Sequence, residues 1–216
     1  MTIDPLDRGK HYEEGSWPPL RGDFVVFDPD RSVAVVTLAS NLRIENAAIS
    51  GTCKTENLGI EKIVANMISN SNIRFLLICG VESKGHLPGN TLIALHKNGI
   101  DEKGKIIGSK GAIPFIQNLT IEAVRRFQSQ IQLIDRIGLE DERQIALLVK
   151  EYSSKSEPYQ EGPFQTVKRR TRQIAGATSG ASGGDVSFGS GVTLDSAAWV
   201  VRRVESCTGL NESSQF

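Results

Sequence analysis

No charge of one sign dominates this chain of 216 residues: Lys and Arg together number 25, Asp and Glu number 25, and the isoelectric point is about 6.8. Without a basic excess there is no electrostatic footprint for DNA, RNA or an acidic bilayer. Cysteine is scarce. Cys53, Cys79 and Cys207 are odd in number and lack any CxxC spacing, which argues against a zinc or redox pair and fits a reducing cytoplasm. Long apolar runs are missing too: the longest, Ile73 to Val81, is far short of the ~20 residues that span a bilayer. The N-terminus, MTIDPLDRGKHYEEGSWPPL, is too polar for a signal peptide, so the sequence reads as soluble and cytoplasmic. Neither GxGxxG nor GxxxxGK[ST] occurs, and there is no internal repeat.

What is present is an alternation of strands and helices. Phe24 to Asp28 and Ser32 to Leu38 are β-branched runs separated by Pro29, Asp30 and Arg31, which predicts an N-terminal β-hairpin. Ala47 to Cys53 is a third apolar run, followed by Ile60, Ile63, Val64, Met67 and Ile68 at helical spacing. Ile73 to Cys79 reads as a buried strand, Thr91 to Asn98 as a helix, Lys105 to Gly108 as a brief strand and Gly111 to Pro114 as a turn. Thr120 to Gln130 is a helix capped by Asn118 or Thr120, Ile131 to Asp135 a strand and Glu140 to Tyr152 a helix. The fold class expected is α/β: a Rossmann-like open, mainly parallel sheet with an N-terminal hairpin and helices on both faces. The domain reading is an extension over 1–22, a ligand-binding α/β domain over 23–165, and a tail over 166–216. That tail holds the basic run Lys168 to Arg172, a Gly/Ser-rich linker over Gly176 to Gly191, and Leu194 to Val204 as a last strand or docked segment.

In an open parallel sheet the ligand sits beyond the carboxyl ends of the strands. Thr52 to Gly59, Gly80 to Gly89 and Gly108 to Phe115 all fall there, each following an apolar strand and each expected to run into a helix whose N-terminal amides can receive an anion or polar ligand group. The middle segment, Gly80-Val-Glu82-Ser83-Lys84-Gly85-His86-Leu87-Pro88-Gly89, holds one of three histidines in the chain. His86 is a candidate general base, metal ligand or hydrogen-bonding loop residue. With no Cys, Asp or second His at chelating spacing, a zinc held by protein ligands alone is not indicated, and a metal needing only one protein ligand is left open. Corrinoid proteins present that case, and their common motif is Asp-x-His-x-x-Gly. Here the stretch is Lys84-Gly85-His86-Leu87-Pro88-Gly89, so the His-x-x-Gly half matches and Lys84 stands where a carboxylate would support the imidazole.

Over residues 16 to 152 the sequence resembles the A subunit of tetrahydromethanopterin S-methyltransferase of methanogenic archaea. The resemblance rests on SWPPLRGDFVV, SVAVVTLAS, GTCKTENLGIEKIVAN, IRFLLICGVESKGHLPGNTLIALHKNGID and IIGSKGAIPFIQNL. It implies a cobamide, either 5-hydroxybenzimidazolylcobamide or cobalamin, bound base-off with His86 as lower axial ligand of the cobalt. It also implies that the methyl group arrives from methyl-tetrahydromethanopterin by way of a catalytic partner and leaves to coenzyme M. The chain would then be a carrier shown in turn to two catalytic partners, in a membrane complex that exports sodium ions. The family's membrane-bound members end in a transmembrane helix after a linker, and this sequence shows the linker without that helix. Sodium transport and coenzyme M as acceptor are therefore the looser part of what the resemblance implies.

Each remaining candidate has a plain structural reading beside the functional one. Glu82, Ser83 and Lys84 would hydrogen-bond corrin amides or His86, or form a solvated loop face. Lys54, Thr55 and Asn57 would meet the nucleotide tail, although Thr55 and Asn57 also suit a helix N-cap. Lys110, Gly111, Ala112, Pro114 and Phe115 would pack on the corrin or simply close a turn. His96 suits a packed helix face, His11 a solvated stretch, and Cys53 and Cys79 buried apolar positions. With Lys84 in the carboxylate's place, the orientation of His86 is expected to depend on backbone or Glu82, and Gly85 and Gly89 are expected to let the loop move. The alternative function is a cofactor-free or nucleotide-binding α/β scaffold.

Overall fold

A computed structural model describes residues 17–155 and 157–166, together with three strands within 186–203. Strand β1 (Phe24–Val26), β2 (Val33–Val36), β3 (Ile49–Gly51), β4 (Phe75–Gly80) and β5 (Gln132–Ile137) form one sheet in the order β1-β3-β2-β4-β5. Strands β3, β2, β4 and β5 run parallel, and only β1 is antiparallel to its neighbour. Helices α1 (Leu58–Ile68), α2 (Pro88–Asn98) and α3 (Ile121–Gln130) contribute Ile60, Val64, Leu92, Leu95, Val124 and Phe127 to one core cluster. Helix α4 (Glu142–Ser153) buries Ile145 and Val149 in a separate cluster with Val33, Val35 and Leu77, so helices cover both faces. The α/β class holds.

The predicted hairpin does not form. Phe24, Val25 and Val26 pair with Gly51, Ser50 and Ile49, so β3 lies between the two runs read as partners. Three polar residues between β-branched runs signal a turn, but pairing is decided by which strand completes the parallel core. Lys105 to Gly108 is likewise no strand of the sheet: Ile100 bridges Ile106 and Lys105 bridges Phe115, as isolated pairs in a long loop. Helix α2 begins at Pro88, inside the stretch read as loop, with proline at a first-turn position where its missing N–H costs nothing. Thr120, not Asn118, caps α3 by accepting from Ala123 N at 3.2 Å, while Asn118 Nδ2 donates to the buried Glu61 carboxylate at 2.7 Å.

Segments before β1 and after α4 pack back onto the helices. Trp17 Nε1 donates to Asn66 O at 2.7 Å, and the Asn66 side chain exchanges two hydrogen bonds with the backbone of Leu20. These residues, read as part of an extension, pack on the α1 core. On the other side Tyr159 lies against the Arg126 guanidinium, 4.2 Å from the ring centre, and Arg126 also grips Glu161 and Gly162. A second compact unit within residues 170–216 carries an antiparallel meander of β6 (Val186–Phe188), β7 (Val192–Asp195) and β8 (Val200–Arg203). Strand β6 lies within the stretch read as linker, and β7 and β8 overlap the predicted last segment. Lys168 to Arg172, His11 and Cys207 lie outside the described residues.

Strand β4 hands the chain to its loop through Gly80, at φ 76°, where an added Cβ would stand 2.1 Å from Thr37 O. Gly80→Ala is therefore expected to lower the unfolding free energy by about 2 kcal/mol or more in urea titrations, through steric overlap and a disfavoured φ together.

Candidate functional site

Parallel strands with right-handed crossovers bring the loops after β2, β3, β4 and β5 to one end of the sheet. At this end His86 stands on the β4 loop with its side chain 52% exposed. Its Nδ1 is 2.8 Å from Glu56 Oε2, and the Glu56 side chain is only 2% exposed. The other oxygen, Oε1, accepts the Ile113 amide at 2.7 Å. Three loops distant in sequence thus meet on one carboxylate.

Burial pushes the Glu56 carboxyl up, but the Ile113 amide, its own backbone amide and His86 outweigh that, and the net position is below the ordinary value of 4.5. Glu56 is therefore an ionised acceptor at neutral pH. An ionised carboxylate cannot donate, so the proton of the contact belongs to His86 Nδ1, and the lone pair of a neutral ring lies on Nε2. No hydrogen bond within the described residues engages Nε2. A basic nitrogen on a half-exposed ring, oriented by a buried acid, is the arrangement of a ligand histidine with its supporting carboxylate.

The direct partner of the ring is thus Glu56, not backbone or Glu82 as expected. Glu82 turns away from the ring and accepts Gly89 N at 3.0 Å and Asn90 N at 2.7 Å at the start of α2. The support comes from Glu56, which the sequence reading passed over although it named Thr55 and Asn57 on either side. The available signal was an acid between a strand end and a helix start; what it lacked was the pairing of β3 beside β2, which points that loop at the β4 loop.

The other candidates are placed as follows. Asn57 Oδ1 accepts Leu58 N at 2.7 Å and Thr55 Oγ1 accepts Gly59 N at 3.1 Å, so both side chains cap α1. Lys54 and Thr55 also line a cavity of about 270 Å³ with Phe24, Ile49, Gly59 and Lys62, to which the His86 loop contributes no residue. Ser83 O accepts the amides of His86 and Leu87 at 3.2 and 3.0 Å, and Lys84 is exposed. Gly85 has φ 80° and open space around it, whereas Gly89 is crowded: a Cβ there would stand 2.9 Å from Glu82 Oε1 and from Ile137 Cδ1. Gly89 thus permits close packing, and of the two expected pivots only Gly85 has room. Lys110 N donates to Asn90 Oδ1 at 3.1 Å; Ala112 is exposed. Gly111 passes so close that a Cβ would lie 2.6 Å from His86 O. Pro114 is buried, Phe115 is 37% exposed, and Val81, Leu58 and Ile113 expose 48%, 60% and 59% of their surface around this end.

The loops after β2 and β5 also reach this end, unforeseen. Ser40 Oγ donates to Glu140 Oε1 at 2.6 Å and accepts Val81 N at 2.9 Å. Cys53 and Cys79 are buried free thiols, each pushed up to about 12 by burial, which removes both as nucleophiles. His96 Nε2 lies 2.7 Å from Ile131 O, with its ring edge-on to Phe127, a packed structural residue. Among the described residues no three His, Cys, Asp or Glu side chains gather to hold a metal, and no helix is long and apolar enough to cross a membrane.

Known proteins share this sequence over most of its length. The sequence profile of the family described as the A subunit of tetrahydromethanopterin S-methyltransferase matches residues 10–169. The chain is 53% identical over 192 residues to the A subunit of the putative methyltransferase Mtx of Methanosarcina acetivorans, covering 88% of this chain and 96% of that one. It is 50% identical over 187 residues to the protein of the same description from Methanosarcina barkeri, covering 86% and 94%. The first of two tetrahydromethanopterin S-methyltransferase A subunits of Methanobrevibacter ruminantium is 55% identical over 141 residues, which span 63% of this chain and 58% of that relative.

Glu56→Gln should blur the tautomer preference. In ¹⁵N spectra of the His86 ring the wild type is expected to show protonation at Nδ1, and the variant a mixture of both neutral forms. A carboxylate held below its ordinary value lends stability that is full above 4.5 and fades as pH falls through the lowered value. The stability gap between wild type and Glu56→Gln, measured by denaturant unfolding, is therefore expected to shrink as pH drops below that point.

Proposed function

The chain belongs to the family of the tetrahydromethanopterin S-methyltransferase A subunit, and from that premise we propose that it is the corrinoid-carrying subunit of a methyltransferase, with His86 as the lower axial ligand of the cobalt. The observation that carries this reading is the His86 ring, half-exposed, with Nδ1 held by ionised Glu56 and Nε2 unengaged. A cobamide held by His86 would supply the cobalt chemistry of methyl transfer. One imidazole is all that such a metal asks of the protein, and one is offered here.

The residues of this chain have separable duties on that reading. His86 presents Nε2 as the donor. Glu56 fixes the plane of the ring and keeps the proton on Nδ1. Val81, Ile113 and Phe115 present apolar surface to a flat macrocycle, and Ser83 and Lys84 supply polar groups at the loop's rim. Cys53 and Cys79, buried and protonated, neither compete for the metal nor accept the methyl group. On this reading the methyl donor is methyl-tetrahydromethanopterin and the acceptor a thiol such as coenzyme M. Both would be handled by partner subunits, since no described group on this chain is built to activate either. The protein would work in the cytoplasm, where its thiols stay reduced.

Adding hydroxocobalamin, or the 5-hydroxybenzimidazolyl form, to purified protein is expected to shift the corrinoid absorption bands. The EPR spectrum of the Co(II) state is expected to carry the splitting of one axial nitrogen. His86→Ala should retain corrinoid and lose that splitting. A spectrum identical to free cobamide with the wild-type protein would refute the reading.

A further inference from the structure

Helix α2 starts without a capping side chain of its own. Its N-cap residue is Leu87, at φ 47° and ψ 53°, a left-handed conformation that leucine rarely takes. Glu82 fills the missing role from earlier in the loop, its two oxygens accepting the amides of Gly89 and Asn90. The bare Cα of Gly89 is what lets the carboxylate reach the helix end. His86 sits at the turn of the ring so closed.

The contacts continue from α2 into the third loop. Asn90 Oδ1 accepts Lys110 N, the Thr91 hydroxyl meets Ser109 Oγ at 2.8 Å, and Ser109 Oγ accepts Gly111 N at 3.0 Å. Two residues further on, Ile113 N donates to Glu56, whose other oxygen holds the His86 ring. The circuit leaves His86 through backbone and returns to it through the imidazole.

We propose that Glu82 is a positioning residue for His86: its carboxylate, seated on the first amides of α2, holds the Leu87 turn and, through Asn90 and Thr91, the loop that delivers Ile113 to Glu56. The three loops then open and close as one unit. The part of this concerning cobalt ligation rests on the corrinoid reading; the coupling among loops does not.

The test uses the full chain, ¹⁵N-labelled, as wild type, Glu82→Gln and Glu82→Ala, with amide exchange read by NMR. In Glu82→Ala, exchange at Gly89 and Asn90 is expected to rise about tenfold or more. Exchange at Ile113 should rise with them, and the His86 Nδ1–H signal should broaden, while the β4 core amide of Leu77 stays protected. Glu82→Gln, which keeps one acceptor oxygen, should fall between, and it carries the test alone if Leu77 shows that Glu82→Ala has lost its fold. Faster exchange confined to Gly89 and Asn90, with Ile113 and the imidazole unmoved, would make Glu82 a helix cap and nothing more, and would overturn the proposal. So would unchanged exchange throughout. With hydroxocobalamin bound and reduced to Co(II), the fraction of EPR signal showing axial nitrogen splitting should fall severalfold in Glu82→Ala. If the wild type shows no such splitting, the ligand assignment fails, and the amide data still decide the coupling.

Discussion

An ionised carboxylate removed from water has to be met by donors, and the buried Glu56 side chain meets its own amide, an amide from the loop after α2 and an imidazole from the loop after β4. That requirement organises the whole upper end of the molecule. Gly111 must be without a side chain because it runs against both Glu56 and His86 O. Asn57 and Thr55, on either side of Glu56, spend their side chains on the first turn of α1, which fixes the backbone from which Glu56 reaches across. A ring constrained at one nitrogen is a donor of defined direction at the other, and the proposed chemistry depends on that direction.

The corrinoid motif places a carboxylate two residues before its histidine, and here Lys84 holds that place. The acid arrives instead from a strand two places across the sheet, through the order β3-β2-β4. A support borrowed from another loop has a different consequence from one built into the same loop: the histidine's orientation becomes sensitive to how two segments sit against each other. Glu82, free of the ring, is left to secure the start of α2. The two acids thus hold the His86 loop at different points, one by its side chain and one by its backbone.

The relatives sharpen the scope of the family assignment. The Mtx proteins match across nearly their whole length, whereas the tetrahydromethanopterin S-methyltransferase relative from Methanobrevibacter ruminantium extends well beyond the shared region. The family profile spans residues 10–169, which include Glu56, Glu82 and His86. On the proposed reading, methyl carriage belongs with that region, and the identity of donor and acceptor belongs with the partners that approach it.

Much of the fold was legible from pattern. Ile73 to Cys79 reads as a buried strand because nothing but a covered parallel strand is apolar on both faces, and the 3.6-residue spacing of Ile60, Val64 and Met67 marks α1. The helix at Thr120 and the loops beyond strands β3 and β4 follow from the same local signals, as does His86 among its glycines. Pairing did not follow: the runs at Phe24 and Ser32 are neighbours in sequence, yet β3 separates them, because a strand's partner is set by the sheet that closes the core rather than by turn residues. The partner of His86 was hidden for the same reason. Sequence by itself determined an alternating α/β chain with a lone loop histidine and a lysine where a carboxylate two residues before it would stand. Only the tertiary structure decided that Glu56, thirty residues earlier, supplies that carboxylate, since contact between distant loops depends on strand order, which no local pattern encodes.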